Sequence, residues 1–115
     1  MALKLELDIS RCCACGACAV ACMDQNDIDL STDVRPFRMV FRQETRHLGL
    51  IEYYSMSCMH CDNAPCAKKY PDVFIKRSDG IMLIDYKKAK EPEIASACPY
   101  GMIHWNEELE VAQKC

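Results

Sequence analysis

The sequence predicts a small α+β domain of short strands, short helices and cysteine-bearing loops. Three observations carry that expectation. At 115 residues the chain has room for one modest core. Its apolar runs are short and broken by turn signals, with no long stretch of helical period. Ten residues are cysteines, bunched at two- and three-residue gaps, so part of the interior is organised around sulfur.

Taken in order, Leu3, Leu5 and Leu7 alternate with Lys4, Glu6 and Asp8, the period of a half-buried strand. A short helix is expected from Ala17 to Gln25, then an acidic loop from Asp24 to Asp33. Phe37 to Glu44 and Ile51 to Met56 read as strands. Val73 to Lys76 and Ile81 to Ile84 flank Arg77-Ser-Asp-Gly80, and Asp-Gly between apolar runs is a hairpin signal because glycine accepts positive φ. A second hairpin is expected around Asn106 to Glu108, joining Met102–Trp105 to Leu109–Gln113. Between the hairpins, Lys87 to Ala97 reads as helical, with Pro92 tolerable only in the first turn.

The formal charge of −3 and the lack of a basic tail favour neither nucleic acid nor an anionic membrane as partner. No long uncharged apolar run or small-residue cleavage site is read, so neither a membrane span nor an export signal is expected. That points to the cytoplasm, with carriage alongside an exported partner as the other route. In such a compartment bunched cysteines read as metal ligands rather than disulfides.

Cys12-x2-Cys15-x2-Cys18-x3-Cys22 is the bacterial ferredoxin spacing, in which three cysteines surround one cubane [4Fe-4S] cluster and the fourth reaches another. Gly16 lets main-chain N–H groups approach the sulfurs. Zinc, the weaker alternative, takes four ligands, commonly as two Cys-x2-Cys pairs, and leaves the third cysteine of this run unused. Cys13 is surplus, read as a buried small side chain or a free thiol.

Cys58-x2-Cys61-x4-Cys66 supplies three further ligands, and Cys98-Pro99 the fourth, so Cys58, Cys61, Cys66 and Cys98 form one complete site. Its expected twin is missing: position 70 is Tyr70, and the stretch before Cys98 has no cysteine. Cys12, Cys15 and Cys18 lack a fourth partner, Cys22 belongs to yet another cluster, and Cys115 is the last residue. The expectation is a truncated ferredoxin-like fold of the bacterial dicluster type. It is one domain over residues 1–115, with the first cysteine group at 12–22 and a second unit at 51–106.

The run Cys12 to Cys22, the loop Cys58-Met-His-Cys-Asp-Asn-Ala-Pro-Cys66, the segment Arg77 to Asp85 and Ala97-Cys-Pro-Tyr-Gly101 occur in an order that resembles one family. It is that of the iron–sulfur electron-transfer subunits of dimethyl-sulfoxide-reductase-type molybdopterin oxidoreductases. Asp85-Tyr-Lys-Lys-Ala-Lys90, the cysteine-free run before Cys98, and Trp105 to Cys115 are most similar to its transhydroxylase branch, where one of four cubanes is lost. The resemblance implies a large molybdopterin catalytic subunit as partner and up to three clusters. It also implies that Lys114-Cys115 opens a fourth cysteine group, so that Cys22 and Cys115 share a cluster that later residues complete. The chain itself is then an electron carrier, not an enzyme. A stand-alone small ferredoxin or redox-sensing module with one stable cluster is the alternative, and a zinc-stabilised binding domain the outsider.

His60, between two cysteines, reads either as a donor to a cluster sulfur or as loop surface. Arg35, Arg38, Arg42 and Arg46, interleaved with Phe37 and Phe41, read either as a docking face for an acidic patch or as a solvated face. His47 and His104 receive no role. Trp105, Tyr100 and the methionines read as packing around the clusters. No nucleophilic triad, carboxylate pair or phosphate-binding glycine loop is present.

Overall fold

The computed structural model describes residues 4–115. Leu3, the first residue of the expected N-terminal strand, lies outside them. From Lys4 to Asp8 the chain forms no strand, and Leu5 is 77% exposed. Alternation makes a strand only where a neighbouring edge pairs with it, and here the chain turns instead. The Asp8 carboxylate accepts from the Ser10 N–H at 3.1 Å and caps a short 3-10 helix, Ile9–Arg11.

Helix α1 spans Ala17–Gln25, as the sequence predicts. Its N-cap is Gly16 at φ +78°, a conformation costly for a residue with a Cβ. No residue of α1 is buried, so tertiary packing contributes little to holding it. It stops at Asn26, whose side-chain amide donates to the Cys22 carbonyl at 2.9 Å. The loop that follows therefore begins at Asn26, two residues later than expected.

Strands β1 (Met39–Thr45) and β2 (Leu50–Met56) pair antiparallel, with Met39 opposite Met56 and Phe41 stacked on Tyr54 at 5.4 Å between ring centroids. A 3-10 turn, Arg46–Leu48, with Gly49 left-handed closes the hairpin. Phe37, expected to open β1, is buried ahead of it. Helix α2 (Pro65–Lys69) was not expected from the sequence; Pro65 starts it, where a missing N–H costs no hydrogen bond.

Strands β3 (Phe74–Lys76) and β4 (Met82–Ile84) form the predicted Asp-Gly hairpin, with Gly80 at φ +96°. The continuous helix expected over residues 87–97 is not formed. The chain makes a turn at Asp85, runs extended, and then forms a 3-10 helix, Pro92–Ala97. Pro92 pushes Glu91 into extended conformation (φ −114°, ψ 129°), which severs the two halves. Strands β5 (His104–Asn106) and β6 (Val111–Gln113) make the second predicted hairpin, slightly shorter than expected, with Leu109 N–H capped by the Asn106 side chain at 3.0 Å.

The architecture is α+β, with three separate two-stranded sheets and short helices. Among the described residues the main core cluster runs from Ala64 to Ala112, with Phe37 buried apart from it. Phe74, Met82, Ala89, Ile94, Ile103 and Val111 are among its buried side chains, and Cys61, Cys66 and Cys98 pack against it. Tyr70 packs there too, and the Ala112 N–H donates to the Ala89 carbonyl at 2.9 Å. Among the described residues no helix is long and apolar enough to cross a membrane.

Candidate metal centre

The second cysteine group is built by three elements meeting at one point. Cys58 lies two residues beyond β2, Cys66 sits in α2, and Cys98 ends the 3-10 helix, with Pro99 turning the chain away. Cys61 lies in the intervening loop, which is pinned from outside. The Lys76 ammonium donates to the carbonyls of His60 and Cys61 at 2.7 and 2.9 Å, and the Met82 N–H donates to His60 Nδ1 at 2.9 Å. His60 is therefore neither plain loop surface nor a sulfur donor through Nδ1. Its ring anchors the loop to β4.

Cys58, Cys61, Cys66 and Cys98 line one cavity with apolar walls, among them Ala64, Met82 and Ile103. Among the described residues Lys114 is the only charged one on that lining. Burial pushes the Cys66 thiol up, the Ala67 N–H opposes this, neighbouring Cys58 and Cys98 raise it further, and Lys114 draws it down. The cysteines thus stand close enough to feel one another's charge. Burial of His60, followed by the charges of Lys114 and Lys76, holds its imidazole below the usual range.

Among the described residues no three His, Cys, Asp or Glu side chains converge as they would on a single metal ion. The four cysteines line one shared cavity instead. Soft thiolates around an apolar cavity suit an iron–sulfur cluster, whose ligands must stand farther apart than those of one tetrahedral ion. The donor set, four cysteines on one apolar cavity, fits a [4Fe-4S] group.

The first group is more open. Cys12 and Cys22 are partly buried, while Cys15 and Cys18 are exposed. The Ala17 N–H at the start of α1 holds the Cys15 thiol below its usual value, with Cys13 adding to the effect. Cys13 itself is exposed, so the buried alternative for it is corrected: among the described residues the core cluster does not include this loop. Cys18 Sγ and Ser55 Oγ are 3.2 Å apart, and the Asn26 amide donates to Cys22 Sγ at 3.7 Å.

Arg38 connects the two groups. Its guanidinium donates to Ser55 Oγ at 2.9 Å and to Ser57 Oγ at 2.7 Å, the latter residue buried and adjacent to Cys58. Arg38 thus faces inward, whereas Arg42, paired with Glu44 at 3.4 Å, stays at the surface. Cys115 is exposed beside Tyr86, whose phenol is pushed up by burial and then by Cys115; Cys115 and Cys22 share no hydrogen bond among the described residues. Ser55 and Lys114 are residues that the sequence did not single out as part of a site, and Arg38 was read there only as part of a docking or solvated face. The one available signal was the spacing of Ser55 and Ser57, two apart in a strand-like run, which puts them on one face if the strand continues.

Residues 50–115 match the family described as the 4Fe-4S dicluster domain. Over 96% of its length the chain is 38% identical to the pyrogallol hydroxytransferase small subunit of Pelobacter acidigallici, covering 44% of that protein. It is 36% identical, over 86% of its length, to the formate dehydrogenase iron-sulfur subunit of Wolinella succinogenes, covering 49% of it. Over 94% of its length it is 32% identical to the thiosulfate reductase electron transfer subunit of Salmonella typhi, covering 58% of it. The chain spans about half the length of the curated relatives it matches. With four cysteines on one cavity and a family match that contains all four, the chain belongs to the 4Fe-4S dicluster domain family of iron–sulfur proteins.

Proposed function

We propose that this protein is an iron–sulfur electron-transfer subunit that conducts electrons to or from a large molybdopterin-containing catalytic subunit. The observation that carries the reading is the shared cavity of Cys58, Cys61, Cys66 and Cys98. These four hold one [4Fe-4S] cluster. Cys12, Cys15 and Cys18 hold a second, and Cys22 and Cys115 contribute to a third, each completed by ligands outside these residues. A bound cluster supplies reversible one-electron transfer. The chain's residues hold it, exclude water, and set its potential through N–H groups on sulfur, burial and charge.

Two observations support a three-cluster, ferredoxin-like arrangement with one site erased. Tyr70 occupies the position of the expected swapped ligand and packs on the core. Ala89 and Ile94, in the cysteine-free run, are buried in that same core, so hydrocarbon fills this part of the fold. The relatives' names, small subunit, iron-sulfur subunit and electron transfer subunit, support a role within a larger complex.

The test is anaerobic purification of the full-length protein from its native source, followed by molybdopterin analysis of whatever co-elutes. A stable complex with a molybdopterin-bearing large subunit is expected. A cluster-bearing protein that elutes alone, and that no large subunit oxidises or reduces, would favour the free-ferredoxin alternative and overturn the proposal.

A further inference from the structure

We propose that Lys114 is the counter-cation of the cluster held by Cys58, Cys61, Cys66 and Cys98, and that its charge favours that cluster's reduced form. This deepens the functional reading above and rests on it.

Lys114 is only 5% exposed, an unusual place for a lysine. Its ammonium donates to the Met82 carbonyl and, at 2.7 Å, to the main-chain oxygen of Cys115. No aspartate or glutamate among the described residues forms an ion pair with it. A buried charge without a counter-charge is strongly destabilising. Among the described residues Lys114 is also the only charged residue on the lining of the cavity that the four cysteines share, so thiolates there would supply the opposite charge.

Lys76 provides the contrast. It binds the outside of the same loop and has Asp62 at 3.8 Å to offset its charge. Lys114 is buried, and among the described residues no aspartate or glutamate pairs with it. Four thiolates and the cluster carry net negative charge, and reduction adds one more unit. A fixed cation in a low-dielectric wall stabilises the more negative state most, and so shifts the one-electron couple toward reduction. The hydrogen bonds to Met82 and Cys115 also fit a plain structural clip. The experiment therefore has to separate charge from hydrogen bonding.

Lys114→Gln keeps a donor without the charge, Lys114→Met keeps the stem alone, and Lys114→Arg keeps the charge. Each is made in the full-length, cluster-loaded protein and titrated anaerobically with EPR detection of the reduced cluster. A matching Cys58→Ser variant assigns the signal. The Gln and Met variants are expected to lower the reduction equilibrium constant at least about tenfold, which for a one-electron couple is about 59 mV. The Arg variant is expected to stay near the parent. Loss of the cluster in Gln and Met with retention in Arg would also support a charge role. Equal potentials in all four proteins, equal shifts in Gln and Arg, or cluster loss in every variant would overturn it. Absence of iron and sulfide from the unmutated protein would instead overturn the functional reading, so the two failures are distinguishable.

Discussion

The Met82 N–H donates to the His60 imidazole across 2.9 Å, joining the first residue of β4 to the middle of the Cys58–Cys61 loop. His60 itself sits at φ +47°, a conformation that a non-glycine residue holds only under constraint. The loop is therefore shaped by the Asp-Gly hairpin beneath it as much as by its own cysteines.

Replacing His60 by Ala removes that acceptor and is expected to destabilise the cluster-loaded protein by about 1 kcal/mol. Anaerobic urea unfolding followed by cluster absorbance checks this. A midpoint equal to that of the parent would show that the loop holds its shape unaided.

Arg38 and Ser57 make a second tie. Arg38→Met keeps much of the stem but leaves the buried Ser57 hydroxyl without its 2.7 Å partner and frees Ser55 beside Cys18. A loss of about 2 kcal/mol is expected. Ser55→Ala, which removes the links of Ser55 to both Arg38 and Cys18 but leaves the buried Ser57 hydroxyl its Arg38 partner, should cost less by the same unfolding assay. The reverse order would place the weight on the first cysteine group.

His104 gives a pH dependence away from the cysteines. Its Nε2 is buried without a partner, and burial, then the charge of Arg35, depresses its affinity for a proton below the ordinary value of 6.5. The unfolded chain therefore binds the proton more readily. The stability this contributes is fully present above pH 6.5 and is lost as pH falls through the folded value. Unfolding measured from neutral pH downward should show this slope in the parent and a flatter one in His104→Leu. Parallel profiles would contradict the assignment.

Stripping the metal should act unevenly. Helix α1 has no buried residue, and Cys15 and Cys18 are exposed, so the metal is its main constraint. The C-terminal hairpins share a hydrophobic core but lose the four-cysteine centre packed on it. Chelation under reducing conditions is expected to abolish most far-UV circular dichroism, with α1 losing amide protection first. An unchanged spectrum would refute this.

Much of this was legible because it is local. Gly16 and the cysteines after it bound α1, and Asp79-Gly80 specify their hairpin through turn chemistry alone. The leucine alternation at Leu5 and Leu7 misled because strand formation depends on a partner edge that sequence period does not reveal. Pro92 was recognised as tolerable only in a first turn, and the helix shortens until that is true. Within the site, the four cysteines of the cavity were readable from spacing, since each belongs to a recognisable step. Lys114 was not: a lone lysine in a polar-looking run carries no signal of burial until β6 packs it against Met82.

The central claim is that Cys58, Cys61, Cys66 and Cys98 hold a cubane cluster, and metal analysis of anaerobically purified protein tests it most directly. The account predicts brown protein with matched iron and acid-labile sulfide, and a fall of one cubane's worth of both in Cys66→Ser. Colourless protein carrying stoichiometric zinc, or a Cys66→Ser variant with undiminished iron and sulfide, would contradict it.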